Sequence, residues 1–291
     1  MKNKRIISVG LCLMLGITMT TAQVKLSFNP EQGSNYAYQT EIVQNIKQSA
    51  MGMDLPIEEK FTMGLGITMK EKNEAALLWQ HISYFVTSPM MKIQYDSKKA
   101  VDNPTPLDKI HEKIFNAAIG KSFAASISPD GTVSSLKGVD VITGEANKAV
   151  SSDGEMGERL SASLISQWIG EDAVKGMLEQ SFHIYPGKEV KVGDNWTIDS
   201  NFGISNKKST IKTVYTLKAI NNDRATIAVV ATVEMDFEGI LKGTQTGELI
   251  VDIKTGIPVS SDLTLNIKGA IKQQQMELQM EMIAKIKTTI K

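Results

Sequence analysis

The chain has 291 residues, with 32 basic and 32 acidic side chains, three histidines and one cysteine. That balance gives no electrostatic case for binding nucleic acid or an anionic membrane surface. The lone Cys12 lies in an N-terminal apolar run, so the chain beyond it has no cysteine for a disulfide, a thiol nucleophile or a thiolate metal site.

The first 22 residues read as a signal peptide. Lys2, Lys4 and Arg5 form a basic start, Ile6 to Ile17 is apolar, and Thr20, Thr21 and Ala22 are small residues ahead of a cleavage expected after Ala22. The apolar run is shorter than the roughly 20 residues of a membrane span. Leu11 before Cys12 does not suit lipid attachment. Cleavage would leave 29 basic against 32 acidic residues, and no later apolar run is long enough to cross a bilayer. The expected location is the periplasm or the outside of the cell.

Residues 23–291 read as a single β-rich domain. Strands are expected over 34–95, a helical middle over 106–182 with a hairpin at 121–136, and a strand meander over 190–291. In the first part, Tyr36, Tyr38, Thr40, Ile42 and Ile46 share one parity, and Phe61, Met63, Leu65, Ile67 and Met69 share another. Alternation of this kind marks a strand with one buried face. A bend is expected over Met51 to Pro56. Leu77 to Val86 is apolar on both parities, as in a strand covered on both faces.

Pro106 suits a helix start, with Ile110, Ile114 and Ala117 following and Gly120 beyond the end. Phe123, Ala125 and Ile127, the turn Pro129-Asp-Gly131, and Val133 read as the hairpin. Helical spacing returns near Val139 to Val150 and over Glu158 to Phe182, where Leu160, Leu164, Ile165 and Trp168 form one apolar stripe. The meander is expected as strands 190–198, 208–219, 224–237, 240–253, 257–271 and 276–290. Short turns such as Asn221-Asn222-Asp223 and Lys254-Thr255-Gly256 make these strands antiparallel. The last strand alternates from Met276 to Ile290 and would run about 50 Å at roughly 3.3 Å per residue. The fold class is therefore α+β, mostly β: a large curved antiparallel sheet, half-barrel-like, with the helical middle packed on its concave face.

Motif chemistry is sparse. Ser134-Ser135-Leu136-Lys137 fits the S-x-x-K of serine acyl-transfer enzymes, and Lys254-Thr255-Gly256 fits their K-T-G. That mechanism needs a helix start at Ser134, whereas the pattern puts Ser134 and Lys137 in or after a hairpin strand, on opposite faces. His81, His111 and His183 are widely spaced with no second metal-ligand type nearby. Neither a catalytic residue, a metal site nor a cofactor is expected, and the chain reads as a non-enzyme. Methionine is the distinctive component, with twelve beyond residue 22. Flexible thioethers suit a wall that adapts to varied apolar shapes. Phe61, Met63, Met69, Met276, Met280 and Met282 are the expected lining of an apolar cavity between sheet and helices. Gly193 and Asp194 read as a turn, and Trp196 as an aromatic anchor where helices meet sheet.

Pro186-Gly187 followed by Val190-Lys-Val-Gly-Asp-Asn-Trp196 resembles the segment opening the second β-rich half of a family of exported Bacteroidota proteins classed as a domain of unknown function. Ile127-Ser-Pro-Asp-Gly131, Gly243-Thr-Gln-Thr-Gly247 and Val251-Asp-Ile-Lys-Thr-Gly256 leading to Ser261-Asp262 support the resemblance. It implies an envelope location and no known activity. The layout alone is also similar to periplasmic lipoprotein-carrier folds, in which an unclosed barrel lidded by helices holds acyl chains. The functional expectation is an exported binding or carrier protein for a lipid or other amphiphile. The alternative is an envelope structural or interaction protein with a closed core, whose partner is another envelope protein.

Overall fold

The computed structural model describes residues 23–291 except 51–52, 72, 205–206, 237–238 and 274–275; for 50, 202–204, 207–208, 273 and 276 it describes the backbone alone. The expected signal peptide and its cleavage after Ala22 lie outside the described residues.

The strand-rich opening comprises β1 (Val24–Lys25), β2 (Asn35–Ala50), β3 (Met53–Glu71), β4 (Glu74–Thr87) and β5 (Lys92–Asp96). The middle comprises α1 (Pro106–Asn116), the hairpin β6 (Ser122–Ile127) and β7 (Val133–Lys137), α2 (Val139–Ala149), α3 (Gly154–Leu164), a π-helical turn at Ile165–Ile169, and α4 (Glu171–Phe182). Then come β8 (Glu189–Val190), β9 (Asn195–Ile204), β10 (Lys207–Asn221), β11 (Arg224–Asp236), β12 (Ile240–Asp252), β13 (Pro258–Gln273) and β14 (Met276–Ile290).

Among the described residues, twelve strands form one sheet, in the order β7-β6-β4-β3-β2-β14-β13-β12-β11-β10-β9, with β5 also on β4. Every pairing in it is antiparallel. β2 and β14 pair from Tyr38 opposite Ile290 to Ser49 opposite Gln279, so the opening and closing strands of the chain meet mid-sheet. The sheet does not close: β7 and β9 are its two ends. β1 and β8 form a separate short ladder.

The period-two pattern fails at one informative point. Leu77 to Val86 is not a strand covered on both faces throughout. A register shift between Gly64 and Leu65 of β3 bulges β4 at Gln80, so Ala75, Leu77 and Trp79 point to the same side as Ile82, Tyr84 and Val86. An extra residue in one strand reverses the parity beyond it. Leu78, on the other side, is 37% exposed. The bend expected at 51–56 is corrected over 53–56, where β3 already runs from Met53 and includes Pro56 opposite Lys47; residues 51–52 lie outside the described residues. β4 reaches β3 only from Glu58, so the amide hydrogen that Pro56 lacks belongs to an edge position.

The helices cover one end of the concave face. α1 starts with a capping box: Asp108 N–H donates to Thr105 Oγ1 at 3.1 Å and Thr105 N–H donates to Asp108 Oδ2 at 2.8 Å. Asp108 Oδ1 also accepts from Gln94 N–H at 2.7 Å, which fixes the helix to β5. Ile110, Ile114, Phe115, Ile142, Leu164, Val174, Leu178 and Phe182 then join Phe61, Leu65, Ile67, Trp79, Tyr84, Leu217, Ile227 and Val251 in one core.

Candidate functional site on the concave face

The ladder registers place the concave-face side chains in rows that cross the sheet. Nearest the helices are Thr40, Met63, Thr288 and Ile42, Phe61, Ile286, with Leu263 beside Ile286. The next row runs Glu59, Gln44, Ala284, Leu265, Gln245, Ala231, Thr213, from β3 to β10. Beyond it lies Ile57, Ile46, Met282, Ile267, Gly243, Val233, Ile211 across the same seven strands. A further row holds Leu55, Gln48, Met280, Gly269, Leu241 and Met235. The face is thus apolar under the helices, interrupted by four polar side chains at one level, and apolar again.

The outer apolar zone is a second core made of strand residues: Ile211, Ala231, Val233, Leu241 and Ile267, with Met235, Leu265, Ile271, Met280 and Met282 packed against it. Toward β3 it loosens, and Met282, Ile46 and Ile57 are half-buried. Glycine sets the β12–β13 join within it. A Cβ at Gly243 would lie 1.9 Å from the Asn266 carbonyl oxygen, and one at Gly247 would lie 2.0 Å from that of Asp262. Only a residue without a Cβ allows so close an approach of β13 to β12.

Between the helices and the sheet is a cavity of about 220 Å³, lined by Phe61, Met63, Ile42, Leu263, Ile286, Met177 and Trp168 among others. Trp168 belongs to the π-helical turn, closed by Gly170 N–H donating to the Ile165 carbonyl at 2.7 Å. The wider turn places the indole on Phe61, stacked at 3.8 Å between centroids. Such π turns recur at functional sites.

Glu59 is the charged member of the polar row and is only 8% exposed. The Tyr84 hydroxyl favours its ionised form, yet burial dominates and pushes its pKa up to about 7. Tyr84 stacks on His111 at 5.6 Å and stands edge-on to Trp168 at 6.5 Å. His111, its Nδ1–H donated to the Leu107 carbonyl at 2.8 Å, is held neutral by burial, which lowers its pKa. Among the described residues three buried polar side-chain atoms lack a hydrogen-bond partner: Glu59 Oε1, Trp168 Nε1 and Ser209 Oγ. Glu59 and Ser209 have the parity of the concave face, and Trp168 lies against it.

The expected cavity residues separate. Phe61 and Met63 line the 220 Å³ cavity, while Met280 and Met282 pack against the strand-only core, where Met282 also lines the 830 Å³ hollow. The Met276 side chain lies outside the described residues. Met69 is a correction: at 1% exposed it is packed into the main core, near the opposite end of β3 from Glu59, and borders neither region. Gly193 turns with a φ of +94°, and Asp194 accepts from Lys191 N–H at 3.0 Å. Trp196 donates its indole N–H to the Ile184 carbonyl at 2.9 Å and stacks on Tyr215 at 5.7 Å, joining the end of α4 to β9 and β10.

A hollow of about 830 Å³ lies at the outer end of the sheet and is lined from both parities: Ile46, Ile57, Ile267 and Met282 of the outer apolar zone border it together with Lys47, Pro56, Lys242, Lys268, Glu281 and Ile283.

Ser134 lies in β7 and donates to the Ser126 carbonyl, so no helix start brings Lys137 to it. Lys254-Thr255-Gly256 is a turn: Asp252 Oδ1 accepts from Thr255 N–H at 2.8 Å, and Lys254 pairs with Glu31 at 2.6 Å. Among the described residues no group of three His, Cys, Asp or Glu side chains could hold a metal ion, and no helix is long and apolar enough to cross a membrane.

Residues 78–258 match the Family of unknown function (DUF6263), and the chain belongs to that family. No curated protein matches. Among solved structures, lipovitellin is similar with a TM-score of 0.53 at 11% identity, over 90% of this chain and 25% of the lipovitellin chain. The chain therefore spans about a quarter of that protein, and the likeness is one of fold. Two Pseudomonas aeruginosa proteins, OccK5 and OccK11, align over 90% and 91% of this chain and 99% and 98% of theirs, at 6% and 5% identity. Their TM-scores of 0.21 and 0.16 establish no shared fold.

Proposed function

We propose that this protein is a non-enzymatic carrier of the cell envelope, exported by its N-terminal signal, which holds a lipid-like amphiphile against the concave face of its sheet. The observation that carries this reading is the row from Ile57 through Ile46, Met282, Ile267 and Val233 to Ile211. It is an apolar track across seven strands, half-buried at its β3 end and bordered by a polar row. At about 4.8 Å per strand the track is roughly 29 Å long. Met280 and Met282 give its wall the adaptability that variable acyl chains require. The fold shared with lipovitellin, a protein solved for its lipid–protein interactions, agrees with the assignment. Native mass spectrometry and organic extraction of the purified protein should yield a bound amphiphile in near-stoichiometric amount. Purified protein free of lipid, and unable to take up any from mixed micelles, would refute the proposal.

A closed-core interaction protein is the competing reading. Its support is that the cavity under the helices, about 220 Å³, falls below the roughly 300–1,000 Å³ of ordinary ligand pockets. In that case the 830 Å³ hollow, at whose rim Ile283 is 48% exposed, receives a protein partner. Crosslinking from position 283 in whole cells separates the two: carriage on the concave face predicts no discrete adduct there.

A further inference from the structure

We infer that Glu59 Oε1 and Trp168 Nε1 form the head-group site of the carried amphiphile, and that the group they select is an uncharged hydroxyl. The inference rests on the carrier reading and specifies its ligand. Two buried polar atoms without partners belong to neighbours of one tyrosine: the Tyr84 hydroxyl acts on the Glu59 carboxyl, and its ring stands edge-on to Trp168. Buried polar groups in folded proteins are almost always hydrogen-bonded, so two orphans on neighbours of one tyrosine mark a missing partner.

The chemistry of the two atoms defines that partner. A carboxylate oxygen accepts, and an indole N–H only donates. A hydroxyl answers both, donating to Glu59 Oε1 and accepting from Trp168 Nε1. An ammonium group has no acceptor and leaves the indole unpaired. A carboxylate or phosphate has no donor for Glu59 and sets a second negative charge beside a buried one. The position suits a head group as well. Glu59 and Phe61 are successive concave-face residues of β3, and Phe61 lines the cavity beneath Trp168. On the far side of Glu59, Ile57 and Ile46 open the apolar track available to the tail. The π-helical turn that holds Trp168 has its role here, since it sets the indole on Phe61 at this boundary.

The test compares decan-1-ol, decanoate and decylammonium for binding to the delipidated protein at pH 8 by isothermal titration calorimetry. The alcohol should bind at least about tenfold more tightly than decanoate, the effect of one buried hydrogen bond left unmade, and it alone of the three should draw affinity from both Glu59 and Trp168. Glu59→Gln should abolish the preference over decanoate. Trp168→Phe should weaken the alcohol about tenfold and decylammonium by much less. Circular dichroism melts confirm that both near-isosteric variants are folded. Equal binding of all three probes by the wild type, unchanged in both variants, overturns the head-group assignment while leaving the carrier reading intact. Failure of all three to bind, with no extractable lipid, overturns the carrier reading and the inference with it.

Discussion

Glu59 makes the concave face measurable even without a ligand. The residue is 8% exposed, and burial, only partly offset by the Tyr84 hydroxyl, raises its pKa to about 7 from the ordinary 4.5. At about 1.4 kcal/mol per tenfold change in proton affinity, that gap corresponds to about 3 kcal/mol. The folded state binds the proton more tightly than the unfolded chain. Stability from this group is therefore full below about pH 4.5 and lost as pH rises through 7. Glu59→Gln keeps the shape and cannot ionise, so it removes the loss.

The wild-type pH profile alone would not isolate this effect. His111, whose pKa is lowered by burial, works in the opposite sense: it costs stability as pH falls below about 6.5, where the unfolded imidazole takes up a proton. The difference between Glu59→Gln and wild type cancels His111 and every other common group. Urea unfolding at pH 4 and pH 8 should show the variant gaining about 3 kcal/mol relative to wild type between the two conditions. A difference that stays constant across that range would show that Glu59 is hydrated or paired in solution, and the reading of an orphaned buried oxygen would be wrong.

Four further outcomes follow from the packing. Gly243→Val would place a Cβ 1.9 Å from the Asn266 carbonyl oxygen and should cost at least about 3 kcal/mol or prevent folding. Gly144→Ala in α2, where a Cβ meets nothing within 4 Å, should instead stabilise by up to about 1 kcal/mol; thermal melts read both. Thr105→Ala removes the cap of α1 and should cost about 1 kcal/mol in urea titrations, with Thr105→Ser restoring most of it. His111→Gln should flatten the loss of stability below pH 6.5 while leaving the rise seen with Glu59→Gln at pH 8 in place.

The strands were legible because alternation is a local signal. Met276–Ile290 forms β14 over the residues that its pattern marks, and β10 to β13 fall within two positions of the expected bounds; the strand expected at 190–198 is instead divided by the Gly193 turn into β8, paired with β1, and β9, which runs on to Ile204. Pro106 and the Pro129-Asp-Gly131 turn were equally readable, since their φ requirements are met by residue type alone. Three features escaped. The β4 bulge put apolar residues on both parities, which a continuous strand cannot distinguish from burial on both faces. Met69 looked like Met63 in sequence, and only the placement of the helices separates a core methionine from a cavity methionine. The π-helical turn has a glycine after it but no signature of its own.

The polar row shows why the site itself was hidden. In β2 the apolar parity skips Gln44 between Ile42 and Ile46; in β3 it skips Glu59 between Ile57 and Phe61. Gln245 and Thr213 are similar exceptions in β12 and β10. Within any one strand a single polar substitution is ordinary variation. Only the pairing of Gln44 with Glu59, and the ladders that bring Gln245 and Thr213 to the same level, turn four isolated exceptions into a belt. Register is a property of the assembled sheet, fixed by the Ala50–Met53 hairpin and by pairing between the opening and closing strands of the chain. A one-residue slip at β2–β14 would carry the inward side chains of one partner to the other face and scatter the belt. The selectivity assigned to Glu59 therefore depends on a pairing between segments more than two hundred residues apart, such as Tyr38 with Ile290.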